Sequence, residues 1–466
     1  MSKKYNVLLL VADQFRYDCQ GYVNKYPVYT PNLDKLGYQS VVFDNAYTSI
    51  PTCCPARQSF YASKRCESFG AYWNYNITMP IGGLPLSQYS FMRDFSKAGY
   101  KTIHIGKPEL SPEHPPTAFG YDRNRNVVEE YLDRFNTGNK KSDGQTTFDG
   151  WLEDCDIDET LPGYTATSTN EELDELSKED KPFFMTVCFT CPHPPYHPHK
   201  SFFEMYEKAV KWDGFDDNFK NKPYIQKQQI YNWGNQERVW SDWEPIVRKY
   251  YAQITELDYH IGRILNHLKE SNLFEDTIII FTADHGDMCG SHKMFDKHYI
   301  LYEDVIHVPL IIKAGNRFTA ARTKEYTVHN LDLGPTLMEL NGIEPSCKDL
   351  HGHSLSAVLS GGQSIRNEAV STYNGAQFGL YTQRCIKTDK WKYIWNLTDV
   401  DELYDLEKDP GELLNLVDKN KVGDIVDELR KRLLDILLKE GDTFCTLGKS
   451  WAPNIHLNMG MKLMRN

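Results

Sequence analysis

The chain of 466 residues lacks any apolar run long enough to cross a bilayer. Its first apolar run, Asn6-Val7-Leu8-Leu9-Leu10-Val11-Ala12, is short, ends in Asp13-Gln14 and has no small-residue cleavage site. It reads as a buried strand and not as a signal peptide. A surplus of positive charge is missing too. Lys and Arg number 52 against 64 Asp and Glu, a formal net charge of −12, which argues against a nucleic-acid or anionic-membrane surface. An anionic substrate would need a local positive pocket instead. No internal repeat or low-complexity tract stands out. The 11 cysteines are odd in number and scattered, and Cys188-Phe189-Thr190-Cys191 has no second CxxC to complete a zinc site. Such cysteines are mostly buried free thiols of a reducing compartment, so a cytoplasmic location is expected.

What is present is an alternation of strand-like and helical patterns. Strand-like runs at Val7–Val11, Thr102–Ile105, Phe183–Phe189, Thr277–Phe281 and Val308–Ile312, most of them continuously apolar, predict strands buried on both faces. Helices are expected at Thr30–Gly37, Leu84–Lys97 and Val247–Leu268, the last with apolar residues recurring every three or four positions. The expected fold class is therefore α/β, with a large, mostly parallel or mixed sheet flanked by helices. The length exceeds what one core usually supports. We expect a catalytic domain over residues 1–364 and a C-terminal subdomain over 365–466. The second carries the alternating strand Trp391–Asn396, Leu403–Leu406, the turn Asp409-Pro410-Gly411-Glu412 and a helix from Val422 to Leu438. Residues 111–170 and 200–245 read as insertions, and the tryptophans Trp212, Trp233, Trp240 and Trp243 suit stacking on a sugar ring.

Chemistry gathers at the strand ends, where ligands of such sheets bind. Asp13 ends the first strand, and Asp284-His285-Gly286-Asp287 follows Thr277–Phe281. If those strands are neighbours, their oxygens and imidazole converge on a divalent-cation site. Lys107 and His193 follow two other strands, and Lys297 follows the Asp-His stretch. Together these groups suit a tetrahedral oxyanion such as sulfate or phosphate. Pro51-Thr52-Cys53-Cys54-Pro55-Ala56-Arg57 adds a cysteine at an expected helix start with an arginine one turn on, a positive field for anions.

Cys53-x-Pro55-x-Arg57 resembles the signature of the sulfatase family of the alkaline phosphatase superfamily. Val11-Ala12-Asp13-Gln14, Gly106-Lys107, His193-Pro194-Pro195, Asp284-His285-Gly286-Asp287 and Glu402-Leu403-Tyr404-Asp405 agree with it, over about residues 5–417. The resemblance implies a hydrolase that releases sulfate from a small ester, a sugar sulfate in our reading. It implies that Cys53 is oxidised to formylglycine (3-oxoalanine) by a maturation enzyme, and that the hydrated aldehyde is the nucleophile. The implied metal ligands are Asp13, Gln14, residue 53, Asp284 and His285, with calcium favoured over magnesium or manganese. Arg57, Lys107, His193 and Lys297 would serve the transferring group and the leaving alcohol. Two positions depart from many members: Gln14 stands where a second Asp is common, and Glu109 where a His is common. Gln14 keeps open the alternative of a phosphonate monoester or phosphodiester hydrolase. Arg57→Ala is expected to abolish activity with little loss of fold.

Overall fold

The computed structural model describes residues 4–75, 82–135, 147–376, 379–419 and 422–442. Parts of the expected insertion 111–170 and of the C-terminal segment, residues 136–146 and 443–466, lie outside the described residues. The main sheet contains β1 (Asn6–Asp13), β2 (Val41–Tyr47), β3 (Lys101–Gly106), β4 (Arg123–Arg125), β5 (Phe183–Pro192), β6 (Thr277–Ala283), β7 (Leu310–Ala314) and β8 (Ala321–Val328). Their spatial order is β4-β3-β5-β1-β6-β7-β2-β8. All pair in parallel except β7, which runs antiparallel to both β6 and β2. The architecture is thus a mixed, mostly parallel α/β sheet.

The central strands are apolar because both faces are covered. Val7 to Ala12 are all buried. Leu9 and Val11 border one small cavity with Ala56, Phe60 and Tyr61 of the helix Cys53–Ala62, which therefore lies against that face. The long helix Trp240–Glu270 packs on β5 and on the helix Leu161–Leu176.

The reversal of β7 has a consequence for the site. Thr282 of β6 pairs with Leu310 of β7, so residues 284–309 leave and rejoin the sheet at the same edge. That edge is also where β1, β3 and β5 end, since all three run parallel to β6 or to its neighbours. The long β6–β7 loop is thereby spread over the carboxyl edge of the sheet.

A second sheet, order β12-β11-β10-β9, is antiparallel and comprises β9 (Ala369–Ala376), β10 (Gly379–Lys387), β11 (Trp391–Asn396) and β12 (Glu402–Asp405). The helix Gly423–Lys439 covers it through Val426, Leu433 and Leu437, which share a core with Tyr393, Trp395 and Leu403. A further apolar cluster joins the two sheets: Tyr299, Tyr302 and Val305 of the β6–β7 loop pack with Tyr373, Ile394 and Tyr404.

Several sequence expectations are corrected. The helix expected over Leu84–Lys97 begins only at Phe91. Pro85 opens a turn closed by Gln88, and Leu84 is tied by its N–H to the Leu110 carbonyl. The strand expected at Val308–Ile312 spans Leu310–Ala314. Trp212 and Trp243 are buried, so they are not available to stack on a sugar. Trp212 Nε1 donates to the Cys289 carbonyl at 2.8 Å while its ring receives the Arg16 guanidinium at 4.0 Å. Trp243 packs on Phe295, centroids 4.4 Å apart. Among the described residues no helix is long and apolar enough to cross a membrane.

Candidate active site

Five segments bring the candidate residues to one point. β1 ends at Asp13, and Gln14 follows in the left-handed region with φ 71°. That conformation is unusual for glutamine and turns the chain sharply off the strand. Its N–H donates to Asp284 Oδ1 at 3.1 Å, which joins the ends of β1 and β6. β3 ends at Gly106, φ 97°, where a Cβ would lie 2.0 Å from the Cys188 carbonyl oxygen. Only glycine lets β3 pass so close to β5 and aim Lys107 at the site.

Cys53 opens the helix Cys53–Ala62, with Pro55 in its first turn. Cys53 is buried, with Sγ 3.2 Å from His285 Nε2 and 3.8 Å from Asp13 Oδ1. One atom each of Asp13, Cys53, Asp284 and His285 lie within 4.8 Å of one another. His285 Nδ1 donates to the Gly286 carbonyl at 2.8 Å, which fixes the ring and turns Nε2 toward the cluster.

Cations surround these carboxylates. Lys107 Nζ donates to Asp13 Oδ2 at 2.7 Å. Arg57 pairs with Asp284 Oδ2 at 2.9 Å and donates from Nη1 to the Lys107 carbonyl at 3.0 Å. Lys297 Nζ lies 2.9 Å from Gln14 Oε1, 3.1 Å from His193 Nε2 and 3.0 Å from Asp296 Oδ1. Lys107 and His193 are the half-buried members and mark the side open to solvent.

The fields follow from this packing. Burial pushes the Asp13 carboxyl up, but Lys107, His193, Arg57 and Lys297 outweigh it and hold it well below the usual carboxylate range. Burial and Asp13 push the Cys53 thiol up, yet Lys297, Lys107 and His285 bring it well below its ordinary value. Burial lowers His285, but Asp284 and Cys53 raise it to about 9. The cluster therefore draws positive charge to the point where its donor atoms converge. Two carboxylates, an imidazole nitrogen and a side-chain amide fit a divalent cation. Gln14 fits this reading through Oε1, the amide atom able to ligate: it is buried and already turned toward positive charge, accepting from the Lys297 ammonium at 2.9 Å.

Two supporting groups escaped the reading of the sequence. Asp296, adjacent to Lys297, is buried and bridges Lys297 Nζ and His298 Nε2 at 3.0 and 2.9 Å. Tyr196 OH donates to Asp287 Oδ2 at 2.7 Å and so ties the segment carrying His193 to the β6–β7 loop. Acid-base adjacency in Asp296-Lys297 was the available signal for the first. The second pairs residues 91 apart and leaves no local pattern.

Comparison with known proteins agrees with this geometry. The Sulfatase family profile matches residues 5–343. The chain belongs to the Sulfatase family. The profile of the N-sulphoglucosamine sulphohydrolase C-terminal region matches residues 290–439, beginning inside the β6–β7 loop. An arylsulfatase of Clostridium perfringens is 31% identical over 485 residues, covering 94% of each chain. The fold is similar to that of a phosphonate monoester hydrolase of Agrobacterium radiobacter, with TM-score 0.78, 23% identity, and 94% of this chain and 96% of that one covered. It is also similar to a protein solved in complex with its substrate D-glucosamine-2-N,6-O-disulfate, with TM-score 0.76, 22% identity and 95% and 99% covered. This chain is accordingly a sulfatase, a hydrolase of sulfuric esters.

Proposed function

We propose that this sulfatase acts on a small carbohydrate sulfate ester through a formylglycine made from Cys53 by a maturation enzyme. The observation that carries the reading is the place of Cys53, at a helix N-terminus and inside the cluster of Asp13, Asp284 and His285. Its Sγ marks where the aldehyde carbon substituents would stand. Asp13, Gln14, Asp284 and His285 would hold a divalent metal, calcium in our reading, with residue 53 beside it. When present, the aldehyde hydrate supplies the nucleophile and the metal supplies Lewis acidity.

This chain's own residues do the rest. Lys107 and Arg57 present N–H groups on the side of Asp13 and Asp284 where sulfuryl oxygens would lie, and stabilise negative charge there. His193 Nδ1 lies 2.6 Å from the Pro194 carbonyl, which fixes the ring and leaves Nε2 toward Lys297 Nζ. The proton that a departing alkoxide needs is held at this pair, at Nε2 or Nζ. A sugar substrate draws support from the glucosamine disulfate seen in a protein of the same fold. A cytoplasmic location belongs to the same reading and draws support from the buried free thiols of Cys19, Cys54, Cys66, Cys188, Cys191, Cys289 and Cys385.

Peptide mass analysis of active protein should find an aldehyde at position 53, and a panel of sulfated mono- and disaccharides should release sulfate. Full activity with an intact Cys53 thiol would overturn the assignment. Faster turnover of an aryl phosphonate monoester than of any sulfate ester would favour the phosphonate hydrolase alternative, which Gln14 keeps open.

A further inference from the structure

Among the described residues, Glu109 is an acidic group beside Lys107 and Arg57 that the proposed chemistry leaves without a task. It sits two residues beyond Lys107 with φ 45°, in the left-handed region, and is 7% exposed. Its Oε1 is 3.0 Å from Lys107 Nζ and its Oε2 is 3.5 Å from Arg57 Nε, without a hydrogen bond to Oε2. It therefore touches both cations assigned to the sulfuryl oxygens. The groups whose fields it shares are Lys107 on its own segment, Arg57, Cys53 and Cys54 on the helix, Asp13 at the end of β1, and Tyr75. Burial raises the Glu109 carboxyl above its ordinary range, Lys107 and Arg57 oppose this, and Cys53 and Asp13 add to it. Conversion of Cys53 to an uncharged aldehyde removes one of those two contributions and favours the carboxylate.

We propose that Glu109 is a specificity-determining residue: its charge, set against Lys107 and Arg57, lets the site accept the monoanion of a sulfate ester and penalises the dianion of a phosphate monoester. The two groups are nearly the same shape, so charge is the difference available to the protein. Lys107 and Arg57 each already face a carboxylate, Asp13 and Asp284, within 3 Å. Glu109 is a third carboxylate against these two cations, and its repulsion of a dianion is about twice that of a monoanion. In a water-poor site one charge at a few ångströms changes an interaction by far more than in bulk solvent. This inference rests on the reading of Lys107 and Arg57 as the anion cradle.

The test compares p-nitrophenyl sulfate, p-nitrophenyl phosphate and p-nitrophenyl methylphosphonate as substrates of metal-loaded wild type, E109Q, E109H and E109D. The phosphonate ester is a monoanion like the sulfate and controls for shape at phosphorus. In E109Q and E109H the preference in kcat/KM for sulfate over phosphate should fall at least about tenfold near pH ~8, where the phosphate is a dianion, and clearly less near pH ~5, below its second ionisation at about pH 6. The sulfate-to-phosphonate preference should move much less, and E109D should behave as wild type. The proposal is overturned if E109Q or E109H, either one folded and carrying normal metal, keeps the wild-type preference for sulfate over phosphate. It is equally overturned if phosphonate gains as much as phosphate. Sulfate turnover retained by K107M would instead bring down the cradle reading and the inference with it.

Discussion

Lys297 and Gln14, 283 residues apart, meet at 2.9 Å, the ammonium donating to the amide oxygen. This bond fastens the β6–β7 loop to the turn that ends β1, and it places a lysine between a candidate metal ligand and His193. Lys297 is itself held from behind by Asp296, and burial, which would lower its pKa, is outweighed by Asp296, Cys53 and Asp13.

Lys297→Ala should therefore act twice. Loss of a preorganised cation at the transferring group should lower kcat/KM by about 10²–10³-fold. Release of the Gln14 amide should weaken metal binding by about tenfold or more, as removal of groups that orient ligands does. Steady-state kinetics and titration of metal into chelator-treated protein separate the effects. Unchanged metal affinity would mean that Gln14 needs no support from Lys297.

Arg57→Ala calls for a different expectation from the one drawn from sequence. Arg57 is buried and pairs with Asp284 at 2.9 Å, with Asp13 and Glu109 each at 3.5 Å. Removing it strands carboxylates in the interior, and breaking such a buried pair costs about 3–5 kcal/mol. We expect loss of activity together with a clear fall in denaturation midpoint. Arg57→Lys, which keeps charge without the two-pronged geometry, should recover part of the stability and little of the activity. An Arg57→Ala protein as stable as wild type would show that water or a cation enters to compensate.

How far the sequence could be read depended on the range of the forces involved. β1, β3, β5 and β6 were legible because burial on both faces demands largely apolar runs, and a polar residue at or just beyond each strand end is delivered to the site: Asp13, Lys107, His193, Asp284. The reversal of β7 was not, since Leu310–Ala314 would be equally apolar in either direction. β8 was missed because its first five residues are not buried and give no hydrophobic pattern. Trp212 and Trp243 were open to two readings because an aromatic ring in an insertion is driven equally by packing and by ligand stacking. The cation of Arg16 over Trp212 decided for packing, and that contact joins residues far apart in the chain. Asp296 and the Tyr196–Asp287 bond belong to the same class of long-range or supporting contact.

Glu256, on the long helix and away from the metal cluster, should give stability a pH dependence of definite sign. Burial raises its carboxyl to about 7, although it accepts the His199 N–H at 2.9 Å. In the unfolded chain it titrates near ~4.3. Between these values the folded protein binds the proton and the unfolded chain has released it, so stability falls as pH rises and levels off above about 7. Each unit of that interval is worth about 1.4 kcal/mol, so this one group contributes a loss on the order of 3 kcal/mol. Glu256→Gln removes the charge and keeps the acceptor for His199. Chemical denaturation of both proteins near pH ~5 and pH ~8 should show the variant gaining on wild type at the higher pH by roughly that amount. A stability difference that stays constant across the interval would mean that Glu256 is already ionised in the fold, with a cation or water reaching its buried oxygens.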